Sequence, residues 1–325
     1  MRYASIDIGT NTLRLLIADR GENGKLKPVA HKRVITRLGG NFSEERGIDL
    51  VAAQRSFAAL DDFKKTIVEK NADGILAVAT SVVRRSRNGA WFVSEVYKRS
   101  GIEIRVIDGQ EEARLSLLGV LSVLNVSAKK ILVFDIGGGS TEFIAVDGNE
   151  RIGDTPLVAA WSMEMGVVHL TEKYLTADPP SGDDIKGLET EIEGVLTGLK
   201  SQMENSGVSG YSAGGGAALV ATAGTITTLA ALDMDMQVYD RDRINNYVLT
   251  KKKIAVLYKK LLGMSLAERS SVLSLEKGRE DLIIPGSAIT LLVMDMFGFD
   301  LVVVSDAGLL EGNIIDRLKI KGVIG

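Results

Sequence analysis

The chain has no cysteine and only two histidines, His31 and His169, in 325 residues. Disulfides, thiolate nucleophiles, zinc fingers and any metal centre built on three imidazoles are thereby excluded. A reducing cytoplasm fits this composition. Surplus positive charge is also missing: 39 Lys and Arg stand against 42 Asp and Glu, a net charge of -3. No chain-wide cationic field is available to gather duplex nucleic acid or an anionic membrane, so an anionic ligand must be held by local groups. No leader is expected either, because Met1-Arg2-Tyr3-Ala4-Ser5-Ile6 meets Asp7 before an apolar stretch of about 7–15 residues can form. One uncharged run, Asn205 to Leu232, has the length of a bilayer-crossing helix, but its six glycines and many hydroxyl residues argue against one.

Hydrophobic residues at 45% and charged residues at 25% are those of a folded globular chain. At about 100–200 residues per domain, the length predicts two domains. Aromatic residues are scarce at 5%, whereas glycine is plentiful at 35 residues, and glycine allows tight turns and close backbone approach. Tyr3 to Gly9, then Thr10-Asn11-Thr12, then Leu13 to Ala18 predict a strand, a polar turn and a returning strand. The same figure returns 128 positions later: Ile131 to Gly137, then Gly138-Gly139-Ser140-Thr141, then Glu142 to Val146, with Asp-Ile-Gly in register. Either hairpin alone is ordinary; two copies one domain apart predict a duplicated fold.

Between the copies, helix-spaced apolar residues over 53–68 predict a helix, Gly74 to Thr80 a buried strand, Trp91 to Tyr97 a helix and Ile102 to Ile107 a strand. Asp108 then opens a helix, with Glu111 at capping-box spacing. The polar joint from Asn125 to Lys130 sets the boundary, giving domains 1–124 and 125–308, with a terminal helix at about 309–325 crossing back onto the first. In the second half, the loop Asp178-Pro179-Pro180-Ser181-Gly182 leads into a charged helix from Asp183 to Met203. Leu219 to Thr222, Ala223-Gly224-Thr225 and Ile226 to Leu232 read as strand, glycine turn and helix, and Leu301 to Val304 as a further buried strand.

Phosphates are held well by successive amides in tight glycine turns and at helix N-termini. Gly9-Thr10-Asn11, Gly137-Gly138-Gly139-Ser140-Thr141 and Ala223-Gly224-Thr225 offer three such turns. Asp7 and Asp135 each precede one, which suits a hydrated Mg²⁺ facing phosphate; a turn-stabilising Asx side chain is the alternative.

Five segments resemble the exopolyphosphatase and guanosine pentaphosphate phosphatase family, in the family's order. They are Ser5-Ile6-Asp7-Ile8-Gly9-Thr10-Asn11-Thr12, Ala79-Thr80-Ser81-Val82-Val83-Arg84-Arg85-Ser86-Arg87-Asn88, Gly109-Gln110-Glu111-Glu112-Ala113-Arg114, Asp135-Ile136-Gly137-Gly138-Gly139-Ser140-Thr141-Glu142 and Ala223-Gly224-Thr225. The resemblance runs from residue 3 to about 317. It implies an α/β protein of two ribonuclease-H-like domains, as in the actin, heat-shock chaperone and sugar-kinase superfamily, with an interdomain active-site cleft. The implied reaction is Mg²⁺-dependent hydrolysis of a terminal phosphoanhydride of inorganic polyphosphate or guanosine pentaphosphate. Glu112 matches the catalytic carboxylate that activates water. Asp135, Asp7 and Glu142 match positions that hold Mg²⁺, Glu142 also orienting water. Arg84 matches a phosphate-binding arginine, with Asn88 completing its motif, and Arg37 and Arg279 match outer ligand contacts or ordinary ion pairs.

Two departures stand out. Leu310 replaces an arginine in Ser305-Asp306-Ala307-Gly308-Leu309-Leu310-Glu311-Gly312, and His169 replaces one after Met165-Gly166. No His-Asp dipeptide occurs, so the expectation is the short family form without an HD-type domain. Dimers are common among relatives, which leaves a homodimer open. A small-molecule kinase of the same superfamily and a non-catalytic polyphosphate or nucleotide sensor are the competing readings. Acceptor-dependent ADP formation marks the first, and binding without phosphate release the second.

Overall fold

The computed structural model describes residues 1–21, 25–147, 157–272 and 278–320, with the side chains of 319 and 320 not described. It divides into two compact units, Met1–Ser122 joined by Ala307–Gly325, and Val123–Asp306. Residues 321–325 of the expected terminal helix lie outside the described part.

The first unit runs β1 (Arg2–Ile8), β2 (Thr12–Arg20), β3 (Leu26–Ile35), α1 (Leu50–Glu69), β4 (Gly74–Ala79), α2 (Ser81–Arg85), α3 (Gly89–Ser100), β5 (Ile104–Val106) and α4 (Gly109–Val123). Its sheet has the order β3-β2-β1-β4-β5, in which β1 pairs antiparallel with β2 and parallel with β4. As the central strand, β1 is buried from Tyr3 to Ile8, which is why it reads as an almost unbroken apolar run. The edge strand β3 mixes apolar and charged residues, and none of them is fully buried.

The second unit runs β6 (Lys130–Ile136), β7 (Thr141–Asp147), β8 (Leu157–Met163), α5 (Val167–Tyr174), α6 (Gly182–Asn205), β9 (Ala218–Thr222), α7 (Gly224–Asp233), α8 (Arg241–Ile244), β10 (Val248–Thr250), α9 (Lys251–Leu262), α10 (Leu266–Ser270), α11 (Ile283–Phe297) and β11 (Leu301–Val304). The sheet order is β10-β11-β9-β6-β7-β8. With β6 in the place of β1, the antiparallel β6-β7-β8 meander and the parallel β9 and β11 reproduce the first sheet, and β10 is an added edge strand. The run Asn205 to Leu232 is broken into the end of α6, a short turn, β9 and most of α7. No helix among the described residues is long and apolar enough to cross a membrane.

The last helix, α12 (Leu309–Ile320), packs in the first unit. Leu310, Ile314 and Leu318 share an apolar cluster with Tyr3, Leu16 and Ala18, and Asn313 donates to Ser5 Oγ and the Leu76 carbonyl. Glycines let α12 approach α4 at backbone distance, because side chains at Gly119 and Gly312 would overlap the carbonyls of Gly308 and Leu115. Leu310, standing where relatives have arginine, is thus part of the core.

Candidate active site

The first hairpin sets Asp7 on β1 directly opposite Arg14 on β2. Arg14 donates from Nε (2.9 Å) and Nη2 (2.6 Å) to Asp7 Oδ2, while Asp7 Oδ1 is buried with no hydrogen-bond partner. The Gly9 amide closes the turn on the Thr12 carbonyl at 3.2 Å, so Gly9 shapes the turn and does not present its own N–H to a ligand. Behind the turn, the Thr10 carbonyl accepts from Gly39 N (2.8 Å) and the Asn11 carbonyl from Thr36 N (3.0 Å) and Arg37 N (2.9 Å). Because a trans peptide is planar, the N–H following each tethered carbonyl points the other way. The Asn11 and Thr12 amides are therefore turned away from the 36–39 segment. Arg37, exposed, holds a left-handed φ of 48°, a conformation kept for a non-glycine residue by the Asn11 tether.

At the start of α4 two adjacent glutamates have different surroundings. Asp108 caps the helix by accepting from Glu111 N at 2.8 Å, but the expected capping box is not completed by Glu111. Its carboxylate is instead held by Arg114 (2.8 Å) and Arg105 (2.8 Å), and hydrogen bonding to Arg114 first, then Arg105, draws its pKa down to about 2. Arg114 also bonds Asp316 of α12 at 2.7 Å. Glu112, one residue on, meets Arg84 Nη1 at 3.3 Å, and the same nitrogen donates to the Ile107 carbonyl at 2.7 Å. The structure thus brings together Glu112 and Arg84, two residues 28 positions apart. Asn88 lies elsewhere: it accepts from Ile48 N (2.8 Å) and donates to Ile48 O (3.0 Å), clasping the entry to α1.

In the second unit Asp135 on β6 stands opposite Glu142 on β7. Glu142 is almost wholly buried and accepts from Ser162 Oγ at 2.8 Å, across β7–β8. Gly137 N closes the turn on Ser140 O at 2.9 Å, so Gly137, like Gly9, is a shaping residue. The backing here is a helix. The Gly137 and Gly138 carbonyls accept from Val167 N (3.1 Å) and Val168 N (3.0 Å), the first amides of α5. By the planarity argument the Gly138 and Gly139 amides face away from α5, as a pair of donors on residues that carry no side chains of their own. Gly166 makes this possible, since a side chain there would overlap Gly138 and Gly139. Ser140 is buried in the same turn. Thr141 proves structural: its side chain is wholly buried and donates to the Met165 carbonyl. His169, on α5, is exposed.

The third turn opens α7. Its N-cap, Ala223, has no side-chain cap and a backbone of φ 75°, ψ -177°, a region that costs a non-glycine residue about 1–3 kcal/mol. The first amides of α7, at Gly224 and Thr225, lie at the positive end of the helix. Arg279 packs directly over Gly224, where any side chain would overlap its guanidinium. A cation at the positive end of a helix is an arrangement that an anion relieves. The Thr225 side chain itself is buried against Gly286 of α11, leaving its backbone as the ligand group.

Among the described residues no three carboxylate or histidine side chains gather as a metal cage. Mg²⁺ does not need one: it is commonly held by one or two carboxylates, with substrate phosphates and water completing six oxygens. Asp135 and Glu142, paired across one ladder beside outward amides, fit that donor set. Arg14, Ser162 and Gly166 were given no site role from the sequence. Of these, only Arg14 had a readable signal, because it occupies the repeat position of Glu142.

The model of the Ppx/GppA phosphatase family matches residues 16–321, and the chain belongs to that family. Exopolyphosphatase 2 of Mycobacterium tuberculosis is 30% identical, over 96% of this chain and 97% of that protein. A bifunctional 3-dehydroquinate synthase/phosphatase of Fusobacterium nucleatum is 32% identical over 98% of this chain, which spans 47% of its length. The crystal structure of the Aquifex aeolicus Ppx/GppA family member aligns with a TM-score of 0.79 at 30% identity, covering 99% of this chain and 98% of that one. The fold class implied by the sequence motifs, α/β with two ribonuclease-H-like units, is the one observed.

Proposed function

We propose that this protein is an Mg²⁺-dependent exopolyphosphatase that releases the terminal phosphate of inorganic polyphosphate. The observation that carries the reading is the second hairpin, where an opposed Asp135–Glu142 pair adjoins the helix-backed Gly138 and Gly139 amides. The names of full-length relatives point to the same substrate. Bound Mg²⁺ would supply positive charge to the phosphate oxygens, with Asp135 and Glu142 as its protein ligands. The Gly138, Gly139, Gly224 and Thr225 amides, Asn11 N–H, Arg84 and Arg279 bind and orient phosphate oxygens, and Arg37 contacts the outer part of the chain. Glu112 accepts a proton from water as the water oxygen bonds to the terminal phosphorus. The bond to the bridging oxygen breaks, and its electron pair leaves on the shortened chain. Little covalent chemistry is asked of the protein beyond alignment and charge.

The test is phosphate release with Mg²⁺ from long-chain polyphosphate, guanosine pentaphosphate and ATP in parallel, for wild type and Glu112→Gln. Release from polyphosphate that falls at least about a hundredfold in the variant supports the reading. Release from guanosine pentaphosphate alone would move the substrate to the nucleotide. Silence on all three, or an unimpaired variant, would overturn it.

A further inference from the structure

Arg269, on the five-residue helix α10, is a cation only 3% exposed. Asp178, its ion-pair partner at 3.8 Å, is itself half exposed, and burial pulls the guanidinium below the ordinary arginine pKa. Burying a charge on such terms is costly, so what its nitrogens hold is informative. Nη1 donates to the carbonyls of Leu261 (3.4 Å) and Met264 (2.6 Å), a common way of capping a helix such as α9 at its C-terminus. Nε does something else: it donates to Glu280 O at 2.8 Å. Glu280 follows Arg279, whose guanidinium lies over Gly224 at the start of α7. The flanking carbonyls are tied as well. Arg279 O accepts from Leu282 N at 2.9 Å, and Asp281 O lies 3.3 Å from the hydroxyl of Thr171 on α5. Three successive carbonyls are thus held from α10, α5 and the entry to α11, and α5 is the helix that also backs Gly137 and Gly138.

We propose that Arg269 is a positioning residue for the phosphate site: its grip on Glu280 O sets where the Arg279 guanidinium stands over the α7 amides. A long side chain delivers its charge to one place only if the backbone beneath it is fixed, and fixing it beforehand lowers the ordering cost of binding. Arginine suits the task because its planar fork reaches Glu280 and the end of α9 at once, which the point charge of a lysine does not. The proposal deepens the reading above and rests on its assignment of Arg279 to phosphate oxygens. Replacing Arg269 therefore weakens phosphate binding and spares the chemical step, so the effect falls on KM and not on kcat.

The test measures kcat and KM for polyphosphate with Mg²⁺, and the affinity for tripolyphosphate by calorimetry, in wild type, Arg269→Met, Arg279→Gln and the double variant. Losing a hydrogen bond between charged groups is expected to raise KM about tenfold in Arg279→Gln, and Arg269→Met raises it about fivefold with kcat within about twofold. In the Arg279→Gln background, Arg269→Met adds less than about twofold, because the two residues act as one unit. A side chain that only caps α9 would lower the melting temperature and leave KM unchanged, or act equally in both backgrounds; either result overturns the proposal. If Arg269→Met does not fold, Arg269→Lys decides by the same cycle. An Arg279→Gln with wild-type KM and wild-type tripolyphosphate affinity would overturn it too, by removing phosphate from Arg279. If wild type is silent on polyphosphate, the hydrolase reading fails, and the cycle on tripolyphosphate affinity, which needs no turnover, still decides whether Arg269 acts through Arg279.

Discussion

Two hairpins of identical register are backed and charged differently. The first turn is held from behind by an extended segment, Thr36 to Gly39, and its aspartate is matched by an arginine; the second is held by the first amides of α5, and its aspartate faces a glutamate. Both devices tether turn carbonyls and so aim the opposite amides outward, but the aspartate's cross-strand partner is a cation in the first hairpin and an anion in the second. The comparison teaches that a duplicated frame can keep its hydrogen-bond geometry while one cross-strand side chain reverses the charge beside the repeated aspartate.

The largest way to break the comparison is to neutralise each aspartate in turn. Asp135→Asn is expected to lower kcat for polyphosphate about a thousandfold, in the range of losing an electrostatic group at a reacting centre, whereas Asp7→Asn lowers it about tenfold or less. Equal losses in phosphate-release assays would erase the distinction between the hairpins. Gly166→Ala drives a methyl into Gly138 and Gly139 and should destabilise the fold by about 1–3 kcal/mol, with KM raised more than kcat is lowered. Calorimetric unfolding and steady-state kinetics read both, and an unchanged KM would detach α5 from phosphate binding.

A smaller effect comes from Ala223→Gly, which relieves the backbone at φ 75° and should stabilise the protein by about 1 kcal/mol, measured by denaturant unfolding. The same order of effect is expected at Glu111. Its pKa is lowered to about 2 in the fold, so its contribution is complete above the ordinary glutamate value of about 4.3 and drains away as pH falls from there toward 2. Glu111→Gln should therefore cost stability at pH 6 and progressively less below pH 4. A cost independent of pH would show that the Arg105 and Arg114 contacts are not the cause. At its neighbour Glu112 the expected effect is on turnover, which Glu112→Gln should lower.

The repeat was legible because β1 and β6 are central strands, buried on both faces, and so appear as apolar runs ending in the same Asp-Ile-Gly. Elements without such a signature were harder to see. The edge strand β3 mixes apolar and charged residues without strict alternation, and α11 is apolar all round, with Pro285 and Gly286 inside it, so neither shows a clear period. The strand expected over 102–107 is only Ile104–Val106; Ile102 and Ile107 enter the core from its flanks. Among candidate site residues, motif position singled out Glu112, Arg84, Asp135 and Glu142, but pairing could not be read from motif position. That Arg84 reaches Glu112, that Arg279 lies over Gly224, and that Thr141 and Asn88 tie down backbone are consequences of tertiary packing. Arg14 carried its own clue, since a strand position that reads as ordinary alternation becomes informative once it is aligned with Glu142.

The most direct test of the account is an Mg²⁺ titration of phosphate release from polyphosphate for wild type, Asp7→Asn and Asp135→Asn side by side. The account predicts a half-saturating Mg²⁺ concentration at least about tenfold higher in Asp135→Asn, the loss of one charged ligand being worth about 1.4 kcal/mol or more, and no shift beyond twofold in Asp7→Asn. An equal shift in both variants, or a shift in Asp7→Asn alone, would contradict it.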